Sequence, residues 1–183
     1  MSLPFPLSGS TLIVGPSQAG KTRLTARALD AWIEREGETG VVVLEFAPEV
    51  ERDGEILGGR LDRFTHVPDG AWCGVLDAHA PRSEGETEEA SVALARDNAE
   101  RAKEMLDDAP GSPRAIFIND ATIPFQHGRG DPVRLRNYCD RAEVAVLNAF
   151  EGAELGTNGR VSRREQETLS VLKTWADRTV ALE

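Results

Sequence analysis

The chain has few of the residues that build metal or redox sites. Its 183 residues include two cysteines, Cys73 and Cys139, which lie far apart and belong to no C-x-x-C pair. The three histidines, His66, His79 and His127, show neither H-x-x-x-H nor H-E-x-x-H spacing. We therefore interpret the cysteines as small buried or half-buried residues, and the sequence gives no support for a zinc site.

Long apolar runs are also missing. No run approaches the roughly 18 apolar residues that a membrane-spanning helix needs. The N-terminal segment, residues 1–7, has neither a basic head nor a long apolar core of the kind found in secretory signals. We therefore expect no membrane span and a cytoplasmic location.

Positive charge is scarce. Lys and Arg together number 21 against 31 Asp and Glu, which gives a formal net charge of -10 and a pI near 4.9. A field of this sign repels the phosphate backbone of DNA and RNA, so we expect no nucleic-acid partner. Hydrophobic residues make up 40% of the chain and charged residues 28%, a balance typical of a globular protein. The length predicts a single domain over residues 1–183.

The strongest signal is a glycine-rich stretch near the N-terminus. The stretch is a complete G-x-x-x-x-G-K-[ST] string, the phosphate loop or Walker A motif, and it consists of Gly15, Pro16, Ser17, Gln18, Ala19, Gly20, Lys21 and Thr22. An apolar, β-prone run, residues 11–14, precedes it, and a run with apolar residues at helical spacing follows it. The string therefore has the strand, loop and helix context that phosphate binding requires.

Each part of the loop has a chemical role. Without a Cβ, Gly15 and Gly20 allow positive φ angles that bring backbone N–H groups towards an anion, and the following helix directs its positive end there. The Lys21 ammonium is expected to bind the β- and γ-phosphates of a nucleotide, and the Thr22 hydroxyl to bind Mg²⁺. The sequence thus predicts a Mg·ATP site.

The rest of the chain alternates strand-like and helix-like segments. Short apolar runs predict buried strands at residues 11–14, 41–44, 115–118, 144–147 and 179–182, and helices are predicted near residues 21–36, 86–108 and 162–176. Asp131 and Pro132 have the order of cap and first residue that starts a further short helix. This alternation indicates an α/β fold with a mostly parallel central sheet.

Some stretches carry weaker signals. We expect a short helix over residues 50–59, closed by Gly58 and Gly59, and short strands over residues 63–67 and 72–76, with a turn at residues 69–70. Residues 81–89 are polar and acidic and are predicted to form a surface loop. Ser162 and Glu165 have the spacing of a capping box for the last helix.

Polar residues follow two of the predicted strands. Glu45 ends the 41–44 strand, and Asn119 and Asp120 end the 115–118 strand. Because parallel sheets bind ligands at the carboxyl edge of their strands, the Asp120 carboxylate is predicted to hold Mg²⁺ or its water. Glu45 could align a water molecule for attack on the terminal phosphate, although Glu49 is a rival and Glu45 could instead cap its own strand.

Several of these stretches together resemble the RecA-like ATPases, and within them the KaiC/RadA-type branch. The segment FPLSGSTLIVGPSQAGKT is similar to that branch's entry into its phosphate loop, GVVVLEFAPE to its second strand, and IFINDATIPFQ to its metal-binding strand. The resemblance extends over most of residues 7–150. It implies a three-layer P-loop NTPase fold.

The resemblance also implies residue roles. Lys21 and the loop amides would hold the phosphates, Thr22 and Asp120 the Mg²⁺, Glu45 would polarise the attacking water, and Asn148 would sense the γ-phosphate. The branch often has a second acidic residue where this chain has Phe46, and it supplies a basic finger for which Arg160, Arg163 and Arg164 are the candidates here. We therefore expect slow hydrolysis.

Three functions fit these features. The first is a slow regulatory ATPase that uses ATP and Mg²⁺. The second is a small-molecule or nucleotide kinase, for which the arginines between Arg129 and Arg141 could form a lid. The third is a nucleotide-binding module that does not hydrolyse ATP and binds a partner protein in one nucleotide state. The sequence contains no N-K-x-D or T-K-x-D string of the kind that reads guanine. It leaves the oligomeric state open.

Overall fold

A computed structural model of the chain describes residues 2–57 and 59–183. Its strands are β1 (Gly9–Gly15), β2 (Val41–Glu45), β3 (Val50–Arg52), β4 (Glu55–Leu57), β5 (Trp72–Val75), β6 (Ala115–Asn119), β7 (Val144–Phe150) and β8 (Arg178–Ala181). Its helices are α1 (Lys21–Glu36), α2 (Pro81–Glu84), α3 (Glu88–Asp108), α4 (Pro132–Cys139) and α5 (Arg160–Trp175). Short 3-10 turns occupy Leu61–Arg63 and Ile123–Phe125.

Six of the strands form one sheet in the order β5-β2-β6-β7-β1-β8, and every pairing in it is parallel. The central strands are apolar along their length because helices cover both faces of the sheet, and all five residues of β2 and of β6 are buried. Register places Glu45 beside Asn119 and Gly15 beside Phe150. The polar strand ends therefore meet along one edge.

The molecule has three layers. On one face of the sheet α1 packs against alternate strand residues, among them Ile13, Val43 and Phe117. On the other face α3, α4 and α5 pack against the intervening residues, among them Leu12, Leu44 and Ile118. The predicted α/β fold with a parallel sheet is confirmed.

The chain reverses its winding next to β1. After β1 the chain forms α1 on one face, whereas after β7, the neighbour of β1, it forms α5 on the other face. In open α/β sheets the crevice at such a point, beyond the carboxyl ends of the strands, is where ligands bind.

Several predictions away from the central strands β1, β2, β6 and β7 are wrong. Residues 50–57 form the antiparallel hairpin β3–β4 in place of a helix, and Gly58, the predicted end of that helix, lies outside the described residues. Residues 63–67 form no strand, and β5 pairs in parallel with β2 rather than in a hairpin. The predicted surface loop over 81–89 contains α2. Cys139 is buried as expected, but Cys73 is exposed.

The start of the last helix also differs from its prediction. α5 begins at Arg160 with Gly159 as its N-cap, and Ser162 and Glu165 lie buried inside the first turns instead of forming a capping box. The Ser162 hydroxyl accepts a hydrogen bond from Arg82 of α2, and the Glu165 carboxylate accepts hydrogen bonds from Thr122 and Gln126, which follow β6. Both side chains therefore bind other segments of the chain rather than the start of their own helix.

Across the part of the chain that the structure describes, no helix combines the length and the apolar character that crossing a membrane would require.

Candidate functional site

The loop of residues 15–22 connects β1 to α1 and curves around the N-terminus of that helix. Positive φ angles occur at Gly20 (95°) and at Gln18 (62°), whereas Gly15 has none. Gly15 is needed for a different reason, because a Cβ there would lie 2.7 Å from the carbonyl oxygen of Leu182. The prediction of a positive φ is thus correct for Gly20 and wrong for Gly15.

Lys21 lies at the first turn of α1, and its Nζ donates a hydrogen bond of 2.5 Å to the carbonyl oxygen of Pro16. Burial lowers the pKa of Lys21, while the negative charges of Asp120 and Glu154 raise it. Lys21 thus lines the same pocket as Asp120 and Glu154, and an anion in that pocket could replace the backbone partner of the ammonium group.

One of these carboxylates already contacts the loop. Glu154, in the segment between β7 and α5, accepts a hydrogen bond of 2.8 Å from the Ser17 amide. That bond, and to a lesser degree the charge of Lys21, lower the pKa of Glu154. An anionic oxygen thus binds to a backbone N–H of the loop, which is the contact that a phosphate oxygen would make.

Asn119, the last residue of β6, connects the polar residues at the ends of the neighbouring strands by hydrogen bonds. Its Oδ1 accepts hydrogen bonds from the Thr22 hydroxyl (3.1 Å) and from Asn148 Nδ2 (2.9 Å). Its Nδ2 donates to Glu45 Oε1 and to the carbonyl oxygen of Gly59, both at 2.8 Å. The side chain that contacts Thr22 is therefore Asn119, not Asp120. Since the Thr22 hydroxyl gives its hydrogen to Asn119, its oxygen lone pairs are left for a cation.

Glu45 lies behind Asn119 and is only 3% exposed. Its Oε1 accepts hydrogen bonds from Asn119 and from the Ala47 amide, and its Oε2 accepts one from the Leu61 amide. Burial raises the pKa of Glu45 to about 7, although the three hydrogen bonds oppose the shift. In the structure Glu45 thus fixes the Asn119 side chain, and it joins the end of β2 to the 3-10 turn that begins at Leu61.

Asn148 lies on the other side of Asn119 and is 1% exposed. Its amide group donates to Asn119 and to the Thr25 hydroxyl, and its Oδ1 accepts a hydrogen bond from the backbone N–H of Asp120. These contacts fix the ends of β6 and β7 relative to α1. The predicted contact of Asn148 with a γ-phosphate stays a prediction.

Asp120 follows Asn119 and leaves the strand with a φ of 61°, an uncommon conformation for a residue other than glycine. Burial and the charge of Glu165 raise the pKa of Asp120 to about 6, while Lys21 and Arg82 lower it. Lys21, Arg82 and Glu165 line the same pocket as Asp120.

The loop and the residues at the end of β6 line a pocket of about 760 Å³. One side of it consists of loop residues, including Lys21 and Thr22. Other lining residues are Asn119, Asp120, Arg82, Gln126, Phe150, Glu154 and Glu165. Neither Glu45 nor Asn148 lines this pocket, and both act on it through Asn119. The water contact predicted for Glu45 therefore stays a prediction.

The sequence did not identify four side chains of the pocket as functional. Asn119 directly precedes Asp120, the predicted metal ligand, and the sequence assigns it no role of its own. Arg82 lies in the predicted surface loop, and Glu165 belongs to the predicted capping box. Gln126 follows the 3-10 turn after β6. A buried carboxylate such as Glu165 has no signal in a single sequence, because its partners come from distant segments.

The arginines that the sequence proposed as a lid or finger lie elsewhere. None of the arginines between Arg129 and Arg141, and none of Arg160, Arg163 and Arg164, lines the pocket. Arg160 pairs with Glu88, and Arg134 with Asp107, at the surface. The arginines that do line the pocket are Arg23, Arg63 and Arg82.

The site offers oxygen donors for a cation. No group of three or more His, Cys, Asp or Glu side chains placed to hold a metal occurs within residues 2–57 and 59–183. The Thr22 hydroxyl and the Asp120 carboxylate are hard oxygen donors in one pocket, which fits Mg²⁺ because that ion takes few protein ligands and completes its shell with water and phosphate oxygens.

Comparison with known proteins gives no family: the chain matches no protein-family model and no curated protein.

Proposed function

We propose that the chain binds Mg·ATP in this pocket and hydrolyses it slowly, as a RecA-like P-loop ATPase would. The observation that carries the proposal is the contact between the Thr22 hydroxyl and Asn119, because it brings the end of β6 to the mouth of a glycine-rich loop. The Glu154 carboxylate on the Ser17 amide supports it, since it shows an anion bound to the loop. The loop follows β1, next to which the chain reverses its winding, and ligands bind at such points in open α/β sheets.

The roles follow from the contacts. The loop amides and Lys21 bind the phosphates, and Asn119 orients the Thr22 hydroxyl so that its oxygen faces a cation. The Thr22 hydroxyl and the Asp120 carboxylate would hold Mg²⁺ or its water, and the ion would neutralise the charge of the phosphates. Glu45 and Asn148 position Asn119.

Slow turnover has a structural reason in this scheme. The Thr22 hydroxyl contacts a neutral amide, which attracts a divalent cation less than a carboxylate would. Glu45 is buried and accepts three hydrogen bonds from the protein, which leaves its carboxylate little capacity to polarise a water molecule. The same observations favour the third function, a module that binds ATP without hydrolysis, as the alternative.

Nucleotide binding is tested by thermal unfolding with Mg·ATP. At about 100 times the dissociation constant the ligand adds about 2.7 kcal/mol of stability, which raises the melting temperature by roughly 5–10 °C in a chain of this size. Lys21→Ala should abolish the shift. The matched control is Lys103→Ala, which removes the same charge from an exposed position on α3. If wild type shows no shift, or if Lys21→Ala keeps it, the proposal fails.

Hydrolysis is tested separately by phosphate release. Wild type should release phosphate slowly, and Asp120→Asn should still bind nucleotide through the loop but lose at least tenfold in rate, because a neutral amide holds Mg²⁺ or its water more weakly than a carboxylate does. Binding without any phosphate release would exclude the ATPase and leave the non-hydrolysing module. Transfer of phosphate to an added acceptor would instead indicate a kinase.

A further inference from the structure

The pocket contains an ion pair between a half-buried arginine and a buried glutamate, to which the loop motif assigns no role. Arg82, from α2, forms a salt bridge of 2.7 Å between Nη2 and Glu165 Oε1. The Arg82 side chain is 17% exposed and that of Glu165 5%. Desolvating both charges is costly, and such a pair stabilises a fold less than apolar packing of the same volume often does. Its position in the pocket wall therefore suggests a role in binding.

Other side chains hold this pair in place. Arg82 Nη1 donates a hydrogen bond of 3.1 Å to the Ser162 hydroxyl, and its guanidinium lies 5.7 Å from the centre of the Phe150 ring. Glu165 Oε2 accepts hydrogen bonds from the Thr122 hydroxyl (3.1 Å) and from Gln126 Nε2 (2.7 Å). Glu165 thus has two partners besides Arg82, so loss of the arginine leaves its Oε2 still bonded.

Arg82 is linked through Glu165 to the chain segment that follows β6. Glu165, its partner, also accepts a hydrogen bond from the Thr122 hydroxyl, and Thr122 lies two residues after Asp120. Lys21, Asp120 and Arg82 line the same pocket. A phosphate group bound by the loop would therefore meet the Lys21 ammonium and have the Arg82 guanidinium nearby.

We propose that Arg82 is a second phosphate-binding cation, which the chain supplies to its own pocket and which Glu165 holds until the terminal phosphate of a nucleoside triphosphate competes for it. The assignment rests on the proposed function of the pocket. A guanidinium suits this exchange because its planar N–H groups fit carboxylate and phosphate oxygens alike. The terminal phosphate of a triphosphate carries more negative charge than one carboxylate. A diphosphate lacks that group and should leave the ion pair intact.

The proposal predicts a difference between ATP and ADP. In calorimetric titrations with Mg²⁺, Arg82→Ala should weaken binding of a non-hydrolysable ATP analogue by roughly tenfold to a hundredfold, the usual effect of losing hydrogen bonds between charged groups. It should change ADP affinity by less than about twofold. Arg82→Lys, which keeps the charge but loses the planar fork, should fall between.

Glu165→Gln tests the holding role. The neutral amide binds the guanidinium more weakly, so the affinity for the ATP analogue should rise several-fold while that for ADP stays constant. The control is Arg96→Ala, which removes one positive charge from an exposed pair on α3 and should alter neither affinity. If Arg82→Ala unfolds because Glu165 loses its partner, the double variant Arg82→Ala/Glu165→Gln removes both charges and allows the same comparison.

The outcomes separate the two proposals. If wild type binds neither nucleotide, the proposed function falls and this assignment with it. If wild type binds both, and Arg82→Ala weakens ATP analogue and ADP equally or not at all, Arg82 is a structural residue and this assignment alone is overturned.

Discussion

At the scale of single residues, the site depends on an amide that both donates and accepts. The Asn119 side chain makes four hydrogen bonds, two as acceptor from Thr22 and Asn148 and two as donor to Glu45 and Gly59. This is the full capacity of its NH₂ group and of its oxygen lone pairs. A carboxylate, although it would suit a cation better, could not donate to Glu45.

Asn119→Asp should therefore destabilise the free protein in a manner that depends on pH. The new carboxylate would lie about 2.8 Å from Glu45 Oε1, and two carboxylates at that distance cannot both ionise without cost. The pKa of Glu45 is already raised to about 7, and a second negative charge raises it further. Because the folded state then holds a proton that the unfolded state releases, stability falls as pH rises from about 5 to about 8.

Urea unfolding at both pH values measures this effect. We expect a loss of about 2–4 kcal/mol at about pH 8, and a smaller loss at about pH 5, where a shared proton can bridge the two groups. Wild type provides the baseline, because Glu45 alone also lowers stability across this range. Asn137→Asp adds the same charge at an exposed position of α4 and should show little change. An equal loss for Asn119→Asp at both pH values would contradict the argument.

Sequence reasoning identified one half of the site at this scale. The loop, Lys21 and Thr22 form a contiguous motif, so their proximity needs no knowledge of the fold. Which of Asn119 and Asp120 faces Thr22 depends on where β6 ends. β6 ends at Asn119 because Asp120 adopts a left-handed backbone conformation. A single sequence does not determine that conformation, so it does not predict the contact between Asn119 and Thr22.

At the scale of elements, β8 supports the loop from the edge of the sheet. Ser10 and Asp177 exchange hydrogen bonds of 2.8 Å at the start of β1 and β8. At the other end of β1, the Leu182 amide donates to the Val14 carbonyl, which brings the Leu182 backbone against Gly15. Gly15, the first glycine of the motif, thus lacks room for a Cβ because the chain after β8 packs against it, whether or not a phosphate is bound.

Gly15→Ala should accordingly weaken the edge of the sheet even without nucleotide. Its Cβ would lie 2.7 Å from a backbone oxygen, which cannot move without disturbing the pairing of β1 with β8. We expect a loss of about 1–3 kcal/mol, the usual cost of an overpacked site. Urea unfolding measures it, with Gly111→Ala as control, because that glycine has open space and no positive φ. Equal stability of the two variants would contradict this argument, because it would show that the Leu182 backbone can shift away from the added Cβ without cost.

The short strands differ in how far the sequence alone can predict their pairing, because only a hairpin has turn residues that indicate its partner strand. The hairpin β3–β4 turns at Asp53 and Gly54, whose φ angles of 53° and 79° are those of the turn that Asp-Gly favours. The Asp-Gly pair is therefore the local signal for a hairpin, and it outweighs the apolar residues that favour a helix there. β5 is different, since it pairs with β2 across the sheet and no local pattern indicates that partner. The buried runs of β2 and β6 were predictable because burial on both faces selects apolar residues throughout.

At the scale of the whole molecule, a net charge of -10 surrounds a pocket whose proposed phosphate-binding groups are positive. Lys21 and Arg82 line this pocket together with three carboxylates, those of Asp120, Glu154 and Glu165. A bound nucleotide meets these two cations at close range, where the effective dielectric constant is low. A nucleic acid would instead meet the averaged field of a surface, which at this net charge is repulsive.

The chain should therefore not bind single-stranded DNA or RNA, with or without Mg·ATP. Fluorescence anisotropy with a labelled oligonucleotide tests this at about 50 mM salt, where electrostatic binding is strong and ordinary nonspecific binders have dissociation constants tighter than about 100 μM. The same sample should show the thermal shift with Mg·ATP, which proves that the protein is folded and competent. Saturable binding that weakens as salt rises would reveal a basic surface strong enough to overcome the net charge, and it would reopen the question of a nucleic-acid motor.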